Sequence, residues 1–180
     1  QFTSACYQLK PGDDVYIRGP HGASVMPKDD ANIICVAGGT GLAAVYQVAR
    51  DFGSNEKPAQ IFAGARSADR LYFTKECKDI AEVHIATDDG SAGFNGRVTD
   101  ALRSYLETLD ADTLAKTEFY NCGPEPMIHA AEAVQREFVE ASQMFSAIDY
   151  TTKCGVGICG ACASPDGRRI CVDGPFINTQ

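Results

Sequence analysis

The sequence predicts an α/β fold, a doubly wound parallel sheet followed by a small C-terminal module. Continuous apolar runs of strand length alternate with helix-like stretches along residues 29–146, and a glycine-rich turn follows the first run. Such runs are typical of parallel strands covered on both faces, and their alternation with helices indicates a parallel sheet. After residue 146 the composition changes to Gly, Cys and Asp, which predicts a separate module over residues 147–180.

The elements can be placed in chain order. A short β-like run lies between two turn signals within residues 1–28, which we interpret as a separate segment. The last helix has Pro124 and Pro126 at its start, where their missing N–H groups cost little. The predicted strands cover residues 15–17, 32–37, 60–65, 82–87 and 118–122. The predicted helices run from the glycine turn to residue 50 and over residues 71–80, 98–109 and 125–142.

Composition excludes several classes of function. The 180 residues are 44% hydrophobic, which is enough to bury one good core. A net charge of -8 argues against nucleic acid and anionic membranes as partners, because both call for basic patches. No stretch approaches the roughly 18 apolar residues of a membrane span, so we expect a cytoplasmic protein. Since the chain opens on Gln1 rather than Met, we also expect a longer gene product, truncated here at its N-terminus.

The eight cysteines divide into two groups. Four are scattered singly, as small core hydrophobes usually are: Cys6, Cys35, Cys77 and Cys122. The other four follow the pattern C-x4-C-x2-C-x8-C: Cys154, Cys159, Cys162 and Cys171. This spacing is typical of a plant-type [2Fe–2S] cluster, whereas zinc sites usually have two short cysteine knuckles. The sequence therefore predicts a [2Fe–2S] cluster, wrapped by a glycine-rich loop, with a zinc site as the alternative.

A glycine-rich turn follows the first predicted strand and opens a helix. It begins at Gly38, and its Gly39-Thr40-Gly41 segment starts the loose dinucleotide pattern G-x-G-x-x-A. A phosphate-binding turn belongs at this position, although the same pattern also suits a purely structural turn. The second strand lacks the usual acidic residue at its tip and ends near Arg66 instead, so the ribose must be held in another way.

Two further strand ends fall at the edge where open α/β sheets bind ligands. Asp88 and Asp89 end one strand; adjacent carboxylates on a turn are more often capping groups than an acid and base pair. Cys122-Gly123-Pro124 ends the last strand, and Cys122 is either a buried thiol or a nicotinamide contact. Ser-His-Asp, HExxH and Walker motifs are absent, so no catalytic residue is predicted.

Several motifs, in order along nearly the whole chain, resemble those of one family. They are VYIRGPHG, AGGTGLAAVY, FAGARSADRLYF, ATDDGSAGFNGRVTDAL, YNCGPEPM, KCGVGICGAC and ICVDGPF. The chain resembles the ferredoxin reductase-like flavoproteins, and among them the electron-transfer subunits of type B dihydroorotate dehydrogenases. The resemblance implies a relay between NAD(H), FAD and the [2Fe–2S] cluster. It also implies a catalytic partner, an FMN-containing dihydroorotate dehydrogenase subunit of pyrimidine biosynthesis, in a heterotetramer.

The resemblance also assigns cofactor-binding residues. The nucleotide side comprises Gly38, Gly39, Thr40, Gly41, Arg66, Asp88, Cys122, Gly123, Pro124 and Met127, with Met127 packed under the turn. Because of Arg66, the choice between NAD and NADP as the bound nucleotide stays open. The flavin side retains only Gly19, Pro20 and Gly22, from the end of a FAD-binding β-barrel over residues 1–28. Most of the barrel has no counterpart, so we expect this chain to hold the cluster without filling it from NADH on its own.

Two other functions remain open at this stage. One is the flavin and iron–sulfur subunit of a ferredoxin:NADP reductase or a sulfhydrogenase, which shares the TDDGS and CGP motifs. The other belongs to a different class, a zinc-binding interaction module without enzymatic activity. The copurifying catalytic subunit distinguishes the first from the dihydroorotate enzyme, and metal content distinguishes the second.

Overall fold

The computed structural model describes residues 2–54 and 56–178. Its centre is one sheet of seven strands in the order β4-β3-β2-β1-β5-β6-β7. All neighbouring strands are parallel except β6 and β7, which are antiparallel. The strands are β1 (Asn32–Gly38), β2 (Ala59–Ala65), β3 (Ala81–Thr87), β4 (Phe94–Asn95), β5 (Thr117–Cys122), β6 (Met144–Ala147) and β7 (Ile177–Asn178).

Helices cover both faces of this sheet. The helices of the described residues are α1 (Phe2–Tyr7), α2 (Gly41–Phe52), α3 (Thr74–Lys78), α4 (Val98–Leu106), α5 (Ala111–Ala115), α6 (Glu125–Gln135) and α7 (Ile170–Asp173). Helix α1 is exposed and buries none of its residues. On one face, buried β1 residues such as Ile33 pack with Val45 of α2 and Cys77 of α3. On the other, Ile34 packs with Leu102 of α4 and with residues of α6. The predicted doubly wound parallel sheet is confirmed. Within the described part of the chain, no helix has both the length and the apolar character needed to cross a membrane.

The predicted strand over residues 15–17 is wrong. The structure has no regular element there, and the side chains of Val15, Tyr16 and Ile17 are 61%, 95% and 91% exposed. A strand is stable only when a neighbouring strand accepts and donates its ladder hydrogen bonds. Among the described residues no such neighbour lies beside this run, so its β propensity alone does not produce a strand.

Two predicted helices are much shorter than their patterns suggested. Instead of a helix over residues 71–80, a 3-10 turn is followed by α3, and Phe73 between them has a left-handed φ of 62°. Instead of a helix over residues 125–142, α6 ends at Gln135, and a 3-10 turn with a Glu140–Gln143 capping box follows it. The predicted helix over residues 98–109 ends earlier, at Leu106. Local hydrogen bonds therefore end these helices. The sequence has no Gly or Pro at these positions that would have indicated the boundary.

The C-terminal module is joined to the sheet by its last described residues. Strand β7 pairs with β6, and Asn178 Nδ2 donates to the carbonyls of Ala141 and Met144, each at 3.1 Å. The Phe176 ring meets the ring of buried Tyr120 edge-on, with 5.5 Å between centroids. These contacts hold the cysteine-rich module against the sheet.

Removing the Phe176 ring should loosen this attachment. We expect Phe176→Ala to lower the free energy of unfolding by about 1–3 kcal/mol, because a half-buried ring that packs on an aromatic cluster is lost. Urea denaturation followed by far-UV circular dichroism measures the change. Phe52→Ala removes a more exposed ring at the end of α2 and serves as the control. Equal losses in the two variants would contradict the docking role of Phe176.

Candidate functional site

The predicted glycine turn lies at the carboxyl end of the central strand β1. Gly39 has a left-handed φ of 54°, and the space where a side chain would stand is open. Thr40, which precedes α2, makes no side-chain cap hydrogen bond. The first N–H groups of α2 therefore have no side-chain cap, and uncapped helix N-termini bind anions such as phosphate. Binding of a pyrophosphate at this turn stays a prediction.

The turn after β1 and the turn after β5 pack directly against each other. A side chain on Gly41 would collide with the backbone carbonyl of Cys122, and one on Gly38 would lie 2.6 Å from Met127 Sδ. Gly123 adopts a φ of 157° and would bring a side chain within 2.9 Å of the Gly38 nitrogen. Glycine is thus required on both sides of this contact, and Met127 lies beneath it.

The ends of β2 and β3 continue the same edge of the sheet. The Asp88 N–H donates to the Ala65 carbonyl and the Asp89 N–H to the Arg66 carbonyl, both at 3.1 Å. The Arg66 and Asp88 side chains are exposed, so both remain available to a nucleotide. Asp89 accepts hydrogen bonds from the Ser91 side chain and N–H, which lower the pKa of this carboxyl. Asp89 therefore caps the turn that follows β3.

Cys122 is half-buried at the end of β5 and carries a protonated thiol. Burial raises its pKa, and the negative charge of Asp149 raises it further. A neutral thiol is a weak nucleophile, which argues against covalent catalysis at this position. Cys122 is suited to van der Waals contact with a flat ring, and its role in nicotinamide binding stays a prediction.

A cleft of about 770 Å³ joins the two glycine turns to the cysteine-rich module. One wall is the turn from Gly38 to Gly41 together with the Cys122–Glu125 turn; the opposite wall includes Tyr150, Ile170 and Pro175. Pockets of roughly 300–1,000 Å³ hold nucleotide-sized or drug-sized ligands. Ile170 directly precedes Cys171 in the sequence. The cleft thus runs from the predicted nucleotide turns to a residue next to one predicted cluster ligand.

The loop after Cys154 is shaped to hold a thiolate. Its backbone N–H groups at Val156, Cys159 and Ile158 point at the Cys154 sulfur and, with the Cys159 side chain, lower the pKa of Cys154 to about 6. Three glycines give the loop its tight curvature, with left-handed φ angles of 70° at Gly155, 79° at Gly157 and 72° at Gly160. A metal ligand must be deprotonated, so this loop favours the ligating form of the sulfur.

The four clustered cysteines form two pairs. The side chain of Cys154 contacts that of Cys159, and the side chain of Cys162 contacts that of Cys171. Two pairs fit the two irons of a [2Fe–2S] cluster, whereas a single zinc ion needs its ligands around one point. The residues fit the cluster better than zinc.

A segment that sequence reasoning did not connect to the cluster crosses this loop. We call residues 18–23 the strap. The Arg18 guanidinium donates to the carbonyls of Lys153, at 3.2 Å, and Cys154. The Gly22 N–H donates to the Cys171 carbonyl at 2.9 Å, and a side chain on Gly22 would collide with the Gly174 carbonyl. Of the three residues predicted for the flavin side, Gly19, Pro20 and Gly22, the last therefore lies against the cluster module.

The strap contact had no local signal in the sequence. The Gly-Pro-His-Gly letters indicated a tight turn, but the Arg18 contacts join residues 135 and 136 positions apart. Only the folded chain brings them together.

Comparisons with known proteins agree with this geometry. Residues 35–133 match the family model of the oxidoreductase NAD-binding domain, and residues 151–180 match that of the iron-sulfur cluster binding domain of dihydroorotate dehydrogenase B. A protein of Methanocella arvoryzae named "Probable dihydroorotate dehydrogenase B (NAD(+)), electron transfer subunit" is 38% identical over 99% of this chain and 67% of its own length. A protein of the same name from Thermococcus kodakarensis is 34% identical over 99% of this chain and 71% of its own length.

A solved structure of an NADH-dependent reduced ferredoxin-NADP oxidoreductase is also similar. It superposes with a TM-score of 0.79 and 30% identity, over 98% of this chain and 63% of that chain. The chain spans about two thirds of the length of the curated relatives that it matches. It therefore belongs to the family of dihydroorotate dehydrogenase B electron transfer subunits, oxidoreductase components with a ferredoxin reductase-like fold.

Proposed function

We propose that this chain passes electrons between NAD(H), FAD and a [2Fe–2S] cluster held by Cys154, Cys159, Cys162 and Cys171. The cleft carries this proposal, because it runs from the glycine turns to the residues beside Cys171. A nucleotide bound at the uncapped start of α2 and a cluster in the cysteine loop would then lie at the two ends of one cavity. The cluster, when bound, takes up and releases single electrons.

Each part of the chain has a separate task in this proposal. Residues 29–146 bind the nucleotide, residues 147–180 bind the cluster, and residues 1–28 belong to the end of a flavin-binding barrel. The residues present do not form a flavin barrel: no strand forms among the described residues 8–31, and the cleft is lined by later parts of the chain. FAD is therefore proposed as a cofactor whose site is completed by parts of the protein outside residues 1–180.

We further propose that the electrons are exchanged with an FMN-containing dihydroorotate dehydrogenase catalytic subunit of pyrimidine biosynthesis. The names of the relatives support this partner, since they describe an electron transfer subunit of dihydroorotate dehydrogenase B. A cytoplasmic heterotetramer is the assembly proposed. The exposed Cys159 is consistent with electron exit to a partner, because it places one predicted ligand at the surface.

A second candidate rests on the solved oxidoreductase structure. Its TM-score of 0.79 over 98% of this chain supports a subunit of a ferredoxin:NADP reductase. Both candidates share the same nucleotide turns and cluster, so the catalytic partner alone separates them.

Anaerobic purification of the tagged full-length gene product from its native cells tests the proposal. We expect iron and acid-labile sulfide, bound flavin, and a copurifying FMN subunit that oxidises dihydroorotate. A ferredoxin-linked or hydrogen-producing partner would establish the second candidate instead. A colourless protein with one zinc and no iron would reject electron transfer and support the zinc-binding interaction module.

A further inference from the structure

The strap touches both cysteine pairs of the predicted cluster site. At one end, the Arg18 guanidinium lies over the backbone of Lys153 and Cys154. At the other, the Gly22 N–H bonds the Cys171 carbonyl, and the Ala23 N–H bonds the Gly174 carbonyl at 2.6 Å. One short segment thus spans the site from the first cysteine to the last. Its own sequence contains no sulfur ligand.

Arg18 brings a positive charge beside the cysteine loop. Among the described residues it forms no ion pair with a carboxylate, and its guanidinium donates to backbone carbonyls. Arg169 braces the same loop from the other side, donating to the Gly157 carbonyl at 2.9 Å, but it also lies 3.9 Å from the Asp173 carboxylate. Of the two arginines that donate to the backbone of the Cys154–Cys159 loop region, Arg18 is therefore the less neutralised.

The charge has a direct consequence for electron uptake. Reduction of a [2Fe–2S] cluster adds one electron, supplied by a reduced flavin or in a titration by dithionite, and thus one negative charge at the sulfur-ligated irons. A nearby fixed positive charge lowers the energy of the more negative state. The arginine guanidinium is always charged in proteins, so it acts as a fixed charge. Because Arg18 is solvent-exposed, salt should weaken the effect.

We propose that the strap is part of the cluster site and that the Arg18 guanidinium raises the cluster's affinity for an electron. This inference rests on the cluster ligation of the proposed function. It assigns to Arg18 a positioning and electrostatic role, since the side chain reaches the cluster through the backbone of the loop. The strap thereby makes the cluster a better electron acceptor.

A redox titration of the anaerobically purified chain, monitored by EPR, tests the proposal. We expect Arg18→Gln to lower the midpoint potential by up to about 59 mV, which is a tenfold change in a one-electron equilibrium constant. The difference from the wild-type potential should shrink as the ionic strength rises. Arg50→Gln, which removes an equal charge from the far end of α2, is the matched control and should leave the potential unchanged.

Arg18→Lys separates charge from geometry. This variant keeps the positive charge but loses the forked guanidinium group, so its midpoint potential should stay near that of the wild type. Its potential still tests the role of the charge if Arg18→Gln fails to hold iron. An unchanged potential in Arg18→Gln, or an equal drop in Arg18→Lys, would overturn the proposal. Wild-type protein without iron would instead reject the cluster ligation on which the inference rests.

Discussion

Cys159→Ala should remove the visible absorption of the protein and the EPR signal of its reduced state. Alanine leaves no sulfur or oxygen to complete the coordination of an iron, and the paired thiol of Cys154 would lose its neighbour. Because the iron–sulfur core needs both cysteine pairs, we expect iron content to fall to the background of the assay. Anaerobic purification with iron and sulfide analysis, followed by EPR of the dithionite-treated sample, measures the loss.

Cys6→Ala is the matched control for that variant. Cys6 and Cys159 are both exposed cysteines, but Cys6 lies in α1 and belongs to no cysteine pair described here. The control should retain full iron content and an unchanged spectrum. A wild-type spectrum in Cys159→Ala would contradict the assignment of Cys159 as a ligand.

Gly41→Ala should weaken NADH binding by about tenfold or more, that is by at least about 1.4 kcal/mol. Alanine is favoured over glycine in a helix by about 1 kcal/mol, which by itself would stabilise α2. The added methyl would collide with the Cys122 carbonyl, however, and backbone cannot rotate aside as a side chain does. Overpacking of this kind costs about 1–3 kcal/mol and should separate the two turns. Titration of NADH and urea denaturation measure the two losses.

Ala43→Ser tests whether the effect comes from the contact between the turns. Ala43 is exposed in the first turn of the same helix, and it does not line the cleft. Its substitution should leave NADH affinity and the free energy of unfolding close to the wild-type values. If Gly41→Ala binds NADH as tightly as the control does, the turn is a structural feature and not a nucleotide site.

The strands that could be predicted from the sequence are the buried parallel ones. The start of β1 at Asn32 and the end of β2 at Ala65 were predicted to the residue, because continuous apolar runs between polar turns have few alternatives. Strand β6 was missed entirely. Its residues Met144–Ala147 follow a stretch with helical periodicity, and only pairing with β5 determines that they are extended.

The features of the candidate site also divide into those that a local sequence pattern predicts and those that it does not. The cysteine spacing and the glycine turn are local patterns; the turn lines the cleft, and the four clustered cysteines lie in one loop-rich module. The Arg18 contact with the Cys154 carbonyl is not local, because nothing near Arg18 in the sequence identifies its partner. The strand predicted over residues 15–17 does not form for the same reason. A β-like segment becomes a strand only when a second strand pairs with it, and the local sequence does not show which segment that would be.

The contact between Gly41 and the Cys122-Gly123 backbone has a consequence for protein engineering. The two turns pack so closely that a side chain added at a glycine of one turn collides with the other turn. A substitution in one turn is therefore acceptable only if the other turn changes in a matching way. A designer who wishes to graft the nucleotide preference of a relative onto this chain should therefore transplant residues 38–41 and 122–127 together. Libraries that vary one turn alone should keep glycine at positions 38, 41 and 123, where an added side chain would collide with the other turn.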